Sequence, residues 1–175
     1  MKIELDNITP NRTPAQYRVL LIEDNYESAA VTQAFLKDPR IQVTVSGDGQ
    51  QGFNAFKDSV FDLVLMDIQM PVLDGCGAAL AIRRWEIEHS RMRTPITALT
   101  GSSTAADLAR IFASGCSSYL PKPVTKAILL QTVRQFLGVV PRSSPQLSCY
   151  FTIAPQAMRS PALPAGSLFK SSALA

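Results

Sequence analysis

Long apolar runs are missing from this sequence. No stretch approaches the roughly 18 to 20 consecutive apolar residues that a bilayer-spanning helix requires, and the N-terminal region carries charges where a secretory leader would have its apolar block. A cytoplasmic setting away from membranes is the expectation. Cysteine is scarce: Cys76, Cys116 and Cys149 are an odd number without metal-ligand spacing, which argues for reduced thiols over a disulfide framework. Histidine is scarcer, with His89 alone, so no His or Cys cluster exists for zinc. A strong excess of one charge is lacking too. The net charge of +3 comes from residues 139–175, which hold Arg142, Arg159 and Lys170 and no acid. The rest of the chain is balanced and carries no electrostatic footprint for nucleic acid.

What is present suits one domain with extra ends, since 175 residues at 46% hydrophobic content can bury a core. Residues 1–16, interrupted by Pro10 and Pro14, read as a lead-in. Residues 139–175 hold five of the twelve prolines and seven serines without helical periodicity, a composition expected of a disordered tail, with a partner-docking segment as the alternative. "LSCYFTIA" within it could form a strand, though an isolated strand does not stabilise itself. The tail is too short for a DNA-binding output domain.

Between these ends, residues 17–138 alternate short apolar runs with helix-period segments. "RVLLIED", "IQVTVS", "FDLVLMD", "PITALT" and "SSYLP" read as strands. Helices are expected from an Asn25 cap through Lys37, over Gln50–Asp58, over Gly75–His89, around Leu108, Ile111 and Phe112, and around Leu129, Val133, Phe136 and Leu137. Five strands alternating with five helices predict an α/β fold, a parallel sheet with right-handed crossovers and helices on both faces. Trp85 and His89, on the third helix, are expected to have structural roles, exposed or partly packed.

In such a fold, ligands bind at the carboxyl ends of the strands. Glu23 and Asp24 fall at the end of the first strand, Asp67 at the third, Thr100 at the fourth, and Lys122 just past the fifth. Carboxylates converging there repel: at about 4 Å and an effective dielectric near 20, each like pair costs on the order of 4 kcal/mol. A divalent cation relieves this, and oxygen-only ligands suit Mg²⁺. With Mg²⁺ in place, a phosphoryl group could bind beside Asp67, with Lys122 neutralising one oxygen and the Thr100 hydroxyl donating to another. Those are the parts of phosphoryl transfer to a carboxylate nucleophile.

"LLIEDN", "LMDIQMPVLDG", "ALTG" and "YLPKP", in this order, resemble the motifs of response-regulator receiver domains, from about Tyr17 to Gly138. The resemblance implies a doubly wound, flavodoxin-like (βα)5 fold with strand order 2-1-3-4-5. It implies that Asp67 accepts a phosphoryl group from a phosphohistidine on a histidine kinase or histidine phosphotransfer protein. It also implies that Asp24, Asp67 and the main-chain carbonyl of Gln69 ligate Mg²⁺, with Glu23 acting mostly through water. Thr100 and Tyr119 would switch together and reshape the surface of the fourth helix, fifth strand and fifth helix for a downstream protein. The Lys122–Pro123 peptide is expected to be cis. Two departures from the family's commonest pattern are Gly101, where alanine is usual, and a long "RRWEIEHSRMRTP" connection.

Two other readings share these residues. A receiver scaffold could serve as a phosphorylation-independent interaction module, which the intact set of acids, hydroxyl and lysine disfavours. "GDGQQG", Gly47–Gly52, fits a dinucleotide fingerprint with Asp67 about twenty residues on, but it follows the second strand instead of the first. His89 lacks a phosphotransfer context and no kinase region accompanies it, so the phosphodonor is expected in trans. No turnover of an independent substrate is expected. Without an output domain, signalling by binding another protein, or a relay or sink role, is the expectation.

Overall fold

The structure is a computed structural model that describes residues 17–138. The expected lead-in over 1–16 and the tail over 139–175, with its candidate strand and Cys149, lie outside the described residues. The elements alternate strictly: β1 Tyr17–Ile22, α1 Tyr26–Phe35, β2 Ile41–Ser46, α2 Gly49–Asp58, β3 Leu63–Asp67, α3 Gly75–Glu88, β4 Ile96–Thr100, α4 Ala105–Ala113, β5 Ser118–Pro121 and α5 Lys126–Leu137. All strand pairs are parallel, in the order β2-β1-β3-β4-β5. This is the doubly wound α/β architecture that the alternation predicts.

The strands are apolar on both faces because helices cover both. Along β1, Leu20 and Ile22 join Val64 and Met66 of β3 in a core closed by Phe56 of α2, Ala78, Ala79 and Ile82 of α3 and Ile111 of α4. Val19 and Leu21 point the other way. They join Leu63 and Leu65, closed by Ala29 and Leu36 beside α1 and by Leu129, Val133 and Leu137 of α5. The period-2 alternation of side chains thus divides one continuous apolar run between two cores.

Helix starts follow local chemistry. Asn25, Asp48, Asp74, Thr104 and Thr125 each accept a first-turn N–H from their cap positions. Helix ends depart by one or two residues from expectation. α1 stops at Phe35, not Lys37, as Leu36 leaves helical geometry ahead of Pro39, which disfavours helix at the residue before it. His89 is the C-cap of α3, not its last residue. β1 ends at Ile22, so Glu23 and Asp24 sit just beyond the strand; the Glu23 N–H still bonds Ser46 at 3.0 Å.

A buried ion pair holds the long connection after α3. Arg83 Nη1 donates to Glu86 Oε2 at 2.6 Å, and Glu86 Oε1 accepts the Thr94 N–H at 2.7 Å. Arg83 Nε donates to the Gly115 carbonyl at 3.0 Å. One turn of α3 thereby fixes both the loop into β4 and the turn into β5. Trp85 is half-buried, edge-on to Phe56 and stacked with the exposed His89, in keeping with the expected exposed or partly packed structural role.

The glycines of "GDGQQG" have a packing explanation. A Cβ at Gly52 would collide with the Ile22 side chain, so glycine lets α2 lie close on β1, while Asp48 caps the helix. No phosphate-binding role is needed to account for the motif.

Candidate functional site

The chain reverses its direction of travel across the sheet between β1 and β3, and a crevice opens there at the carboxyl edge. Asp67 is the last residue of β3, so the strand carries its carboxylate to that edge. The backbone then folds back on itself: the Gly75 N–H bonds the Ile68 carbonyl at 3.1 Å, and a Cβ at Gly75 would run into the Asp67 carbonyl. Only glycine permits this close return. Val72, at the tip of the loop, is exposed and adopts φ +69°.

Three elements bring charge to one point. Glu23, Asp24 and Asp67 offer carboxylate oxygens within 4.8 Å of one another. Lys122 Nζ donates to Asp67 Oδ2 at 2.7 Å and to the two Glu23 oxygens at 2.9 and 3.1 Å. The other Asp67 oxygen accepts the Gln69 N–H at 3.1 Å. Glu23 and Asp67 are buried, whereas Asp24 and Gln69 are exposed. One ammonium facing three carboxylates leaves two negative charges in excess. A divalent cation fits that deficit, and an all-oxygen donor set with an open side suits Mg²⁺.

The titration of these groups reflects the crowding. Burial raises the Glu23 carboxyl above its usual range; the Lys122 hydrogen bond opposes this and the Asp67 charge adds to it. For Lys122, burial pulls toward neutrality, but hydrogen bonds and charges from Asp67 and Glu23 outweigh it and raise the ammonium. Lys122 therefore remains a cation aimed at both acids.

Thr100 ends β4 and is buried, and its carbonyl accepts the Lys122 N–H at 2.7 Å. Its hydroxyl faces its own loop, donating to the Ser102 carbonyl at 2.7 Å and accepting the Ser102 N–H at 3.2 Å. Tyr119 of β5 is half-buried and edge-on to Phe112 of α4, centroids 6.1 Å apart. The Lys122–Pro123 peptide is cis. At Gly101 a Cβ would meet only Gln69 Oε1, at 3.8 Å, so an alanine would fit there. The structure thus joins Glu23, Asp24, Asp67 and Lys122 in one cluster, while Thr100 and Tyr119 keep other partners.

Sequence comparison decides the family. Residues 19–134 match the sequence model of the response regulator receiver domain. The chain belongs to that family. This receiver domain is 36% identical over 137 residues to the sensor protein GacS of Pseudomonas syringae pv. syringae, covering 78% of this chain but only 15% of that protein. Among solved structures it is similar to the receiver domain of the Pseudomonas aeruginosa sensor histidine kinase PA1611, which has magnesium coordinated in its active-site cleft. The TM-score is 0.64 at 34% identity, covering 71% of this chain and 99% of that one. It is similar also to the Saccharomyces cerevisiae Ssk1 receiver domain crystallised with the histidine phosphotransfer protein Ypd1, with TM-score 0.64 and 32% identity over 70% of this chain and 89% of that one. The receiver fold and its place in two-component signalling follow from these matches.

Sequence reasoning missed two polar groups of this receiver domain. Asp107 accepts the Ser102 hydroxyl and the Thr104 hydroxyl, and the Thr104-x-x-Asp107 spacing, close to a capping box, was the available signal. Asp74 caps α3 and faces Arg110 of α4 at 3.7 Å across an exposed gap. Beside the acids, a cleft of about 610 Å³ opens between α1 and the loop after β5, lined by Glu23, Val31, Leu99 and Lys122 among others.

Proposed function

We propose that this receiver domain takes a phosphoryl group from a partner phosphohistidine onto Asp67 and, in that state, alters its α4–β5–α5 surface for a downstream protein. The observation that carries the reading is the Lys122 ammonium at 2.7 Å from Asp67 inside a cluster of three carboxylates. A carboxylate oxygen of Asp67 forms the new P–O bond as the P–N bond to the donor imidazole breaks, and the imidazole leaves with a proton. Asp24, Asp67 and the Gln69 carbonyl would hold Mg²⁺, with Glu23 as a further partner, and the ion would supply charge neutralisation for the transferring group.

Lys122 already bridges Asp67 and Glu23, so a phosphoryl oxygen can take over one of its hydrogen bonds without a change of charge on the lysine. Thr100 donates to a further phosphoryl oxygen after leaving Ser102. Tyr119, packed on Phe112 of α4, carries that movement to the helix. Exposed Val31 lines the cleft beside Glu23 and Lys122, exposed Tyr26 begins α1 two residues after Asp24, and exposed Val72 lies in the loop that follows Asp67, apolar side chains suited to a docking protein. A histidine kinase or phosphotransfer protein is the donor, as the Ssk1–Ypd1 pairing supports, and the cytoplasm is the compartment where such donors present phosphohistidine. Among the described residues no helix is long and apolar enough to cross a membrane.

The test is incubation with a small phosphodonor and Mg²⁺, read by intact-protein mass. One added phosphoryl group that is lost in Asp67→Asn is expected. An unmodified parent, or equal labelling of Asp67→Asn, would overturn the assignment.

A further inference from the structure

We infer that Ser102 and Asp107 form a latch that holds the Thr100 hydroxyl away from the acceptor, an inference that rests on the reading of Asp67 as phosphoacceptor. A threonine hydroxyl has one proton to donate. Here it is committed to the Ser102 carbonyl at 2.7 Å, and the Ser102 N–H returns a bond to the same oxygen at 3.2 Å. Thr100 therefore reaches a phosphoryl oxygen only if residues 100–102 change their mutual geometry.

Ser102 is not free to follow. Its hydroxyl donates to Asp107 Oδ2 at 2.5 Å, and the same carboxylate oxygen takes the Thr104 hydroxyl at 2.6 Å. Thr104 Oγ1 in turn accepts the Asp107 N–H at 3.2 Å, capping α4. The loop that holds Thr100 is thus fastened to the first turn of α4 through one carboxylate. Hydrogen bonds to an ionised acceptor are stronger than neutral ones, so this tie biases the loop toward its resting geometry. The helix it fastens is lightly anchored: Ile111 is its one buried residue, and Ala105 and Ala106 are exposed. Opening the Ser102–Asp107 bond releases Thr100 toward the acceptor and the start of α4 toward solvent together. Ser102 and Asp107 are positioning residues, acting through Thr100 without touching the phosphoryl group.

A ligand that requires the open loop binds with an apparent affinity reduced by the fraction of molecules already open. Removing the latch raises that fraction. The test uses the full chain and its Ser102→Ala, Ser102→Thr and Asp107→Asn variants, titrated with beryllium fluoride in saturating Mg²⁺ and followed by amide NMR. Ser102→Ala and Asp107→Asn are expected to bind the fluoride about three- to tenfold more tightly than the parent. Ser102→Thr, which keeps the hydroxyl, should match the parent. Ser102→Ala combined with Asp107→Asn should gain much less than the sum of the two single changes, because both act on the Ser102–Asp107 bond, while Asp107→Asn also weakens the Thr104 contact. Mg²⁺ affinity without fluoride, which reads the acids and not the loop, should be unchanged throughout. A parent that binds the fluoride while Ser102→Ala binds equally or less tightly overturns the latch alone. A parent that binds no fluoride and takes no phosphoryl group on Asp67 overturns the acceptor reading, and the latch with it.

Discussion

Replacing Glu86 with alanine tests whether the buried ion pair of α3 holds the far edge of the sheet together. Glu86 is 1% exposed and Arg83 8%. The carboxylate accepts from Arg83 Nη1 through one oxygen and from the Thr94 N–H through the other, while Arg83 Nη2 is buried without a hydrogen-bond partner. Burial pulls the guanidinium below its usual range, with Glu86 opposing, yet arginine stays charged in proteins. Glu86→Ala therefore leaves a buried cation without its counter-charge and an inward backbone N–H without its acceptor. Breaking a buried pair from one side costs about 3 to 5 kcal/mol, a large share of the roughly 5 to 15 kcal/mol that holds an ordinary domain folded. For a domain of this size that corresponds to a melting temperature lower by very roughly 10 to 20 °C. Equilibrium denaturation in urea measures the loss. The joint replacement Arg83→Met with Glu86→Leu should be much milder, since it removes both charges and keeps apolar volume. A loss under about 1 kcal/mol for Glu86→Ala, the size typical of a solvent-screened pair, would refute the claim that this pair is shielded.

Two further predictions concern exposed positions. Val72 holds a β-branched side chain at φ +69°, a conformation costing a non-glycine residue roughly 1 to 2 kcal/mol; Val72→Asn should stabilise the protein by about 1 kcal/mol, and an unchanged denaturation midpoint would contradict the strain. Asp38 is held down to about 2, first by the Arg40 side-chain hydrogen bond and then by the Arg40 N–H. Because its folded-state value is depressed, the stability it contributes is present above the ordinary carboxylate range and fades as pH falls through about 2. Carbon-13 NMR of the Asp38 carboxyl should show this low midpoint in the parent and a midpoint shifted up toward the ordinary carboxylate range in Arg40→Ala, which loses the side-chain bond but keeps the residue 40 N–H; identical midpoints would discard the pairing.

The parts of this receiver domain legible in its sequence are those where one residue type has one physical use. "LVLMD" is apolar up to its final carboxylate, so both the buried strand and the costly acid at its end could be read directly. Acids and a lysine recurring at separate strand ends then disclosed the cluster. Helix ends were legible only to within a residue or two, because a cap such as Asn25 marks a start clearly while the end of α1 depends on Leu36 leaving the helix near Pro39. Arg83 and Glu86 lie three apart on α3 and look like an ordinary solvated pair; only the fold of the loop over them makes them buried. The strain at Val72 was hidden for a related reason, since positive φ is normally signalled by glycine or asparagine. The Ser102–Asp107 bond joins loop to helix through side chains whose sequence pattern suggested nothing beyond a cap.

Lys122 lies 99 residues after the Glu23 it contacts. A chain still emerging from the ribosome, or one clipped ahead of its last strand, would possess Asp67 and both neighbouring acids yet no cation to quiet them. The three acids gain their counter-charge only when β5 and the turn after it have docked, so the balance of the cluster depends on a completed sheet.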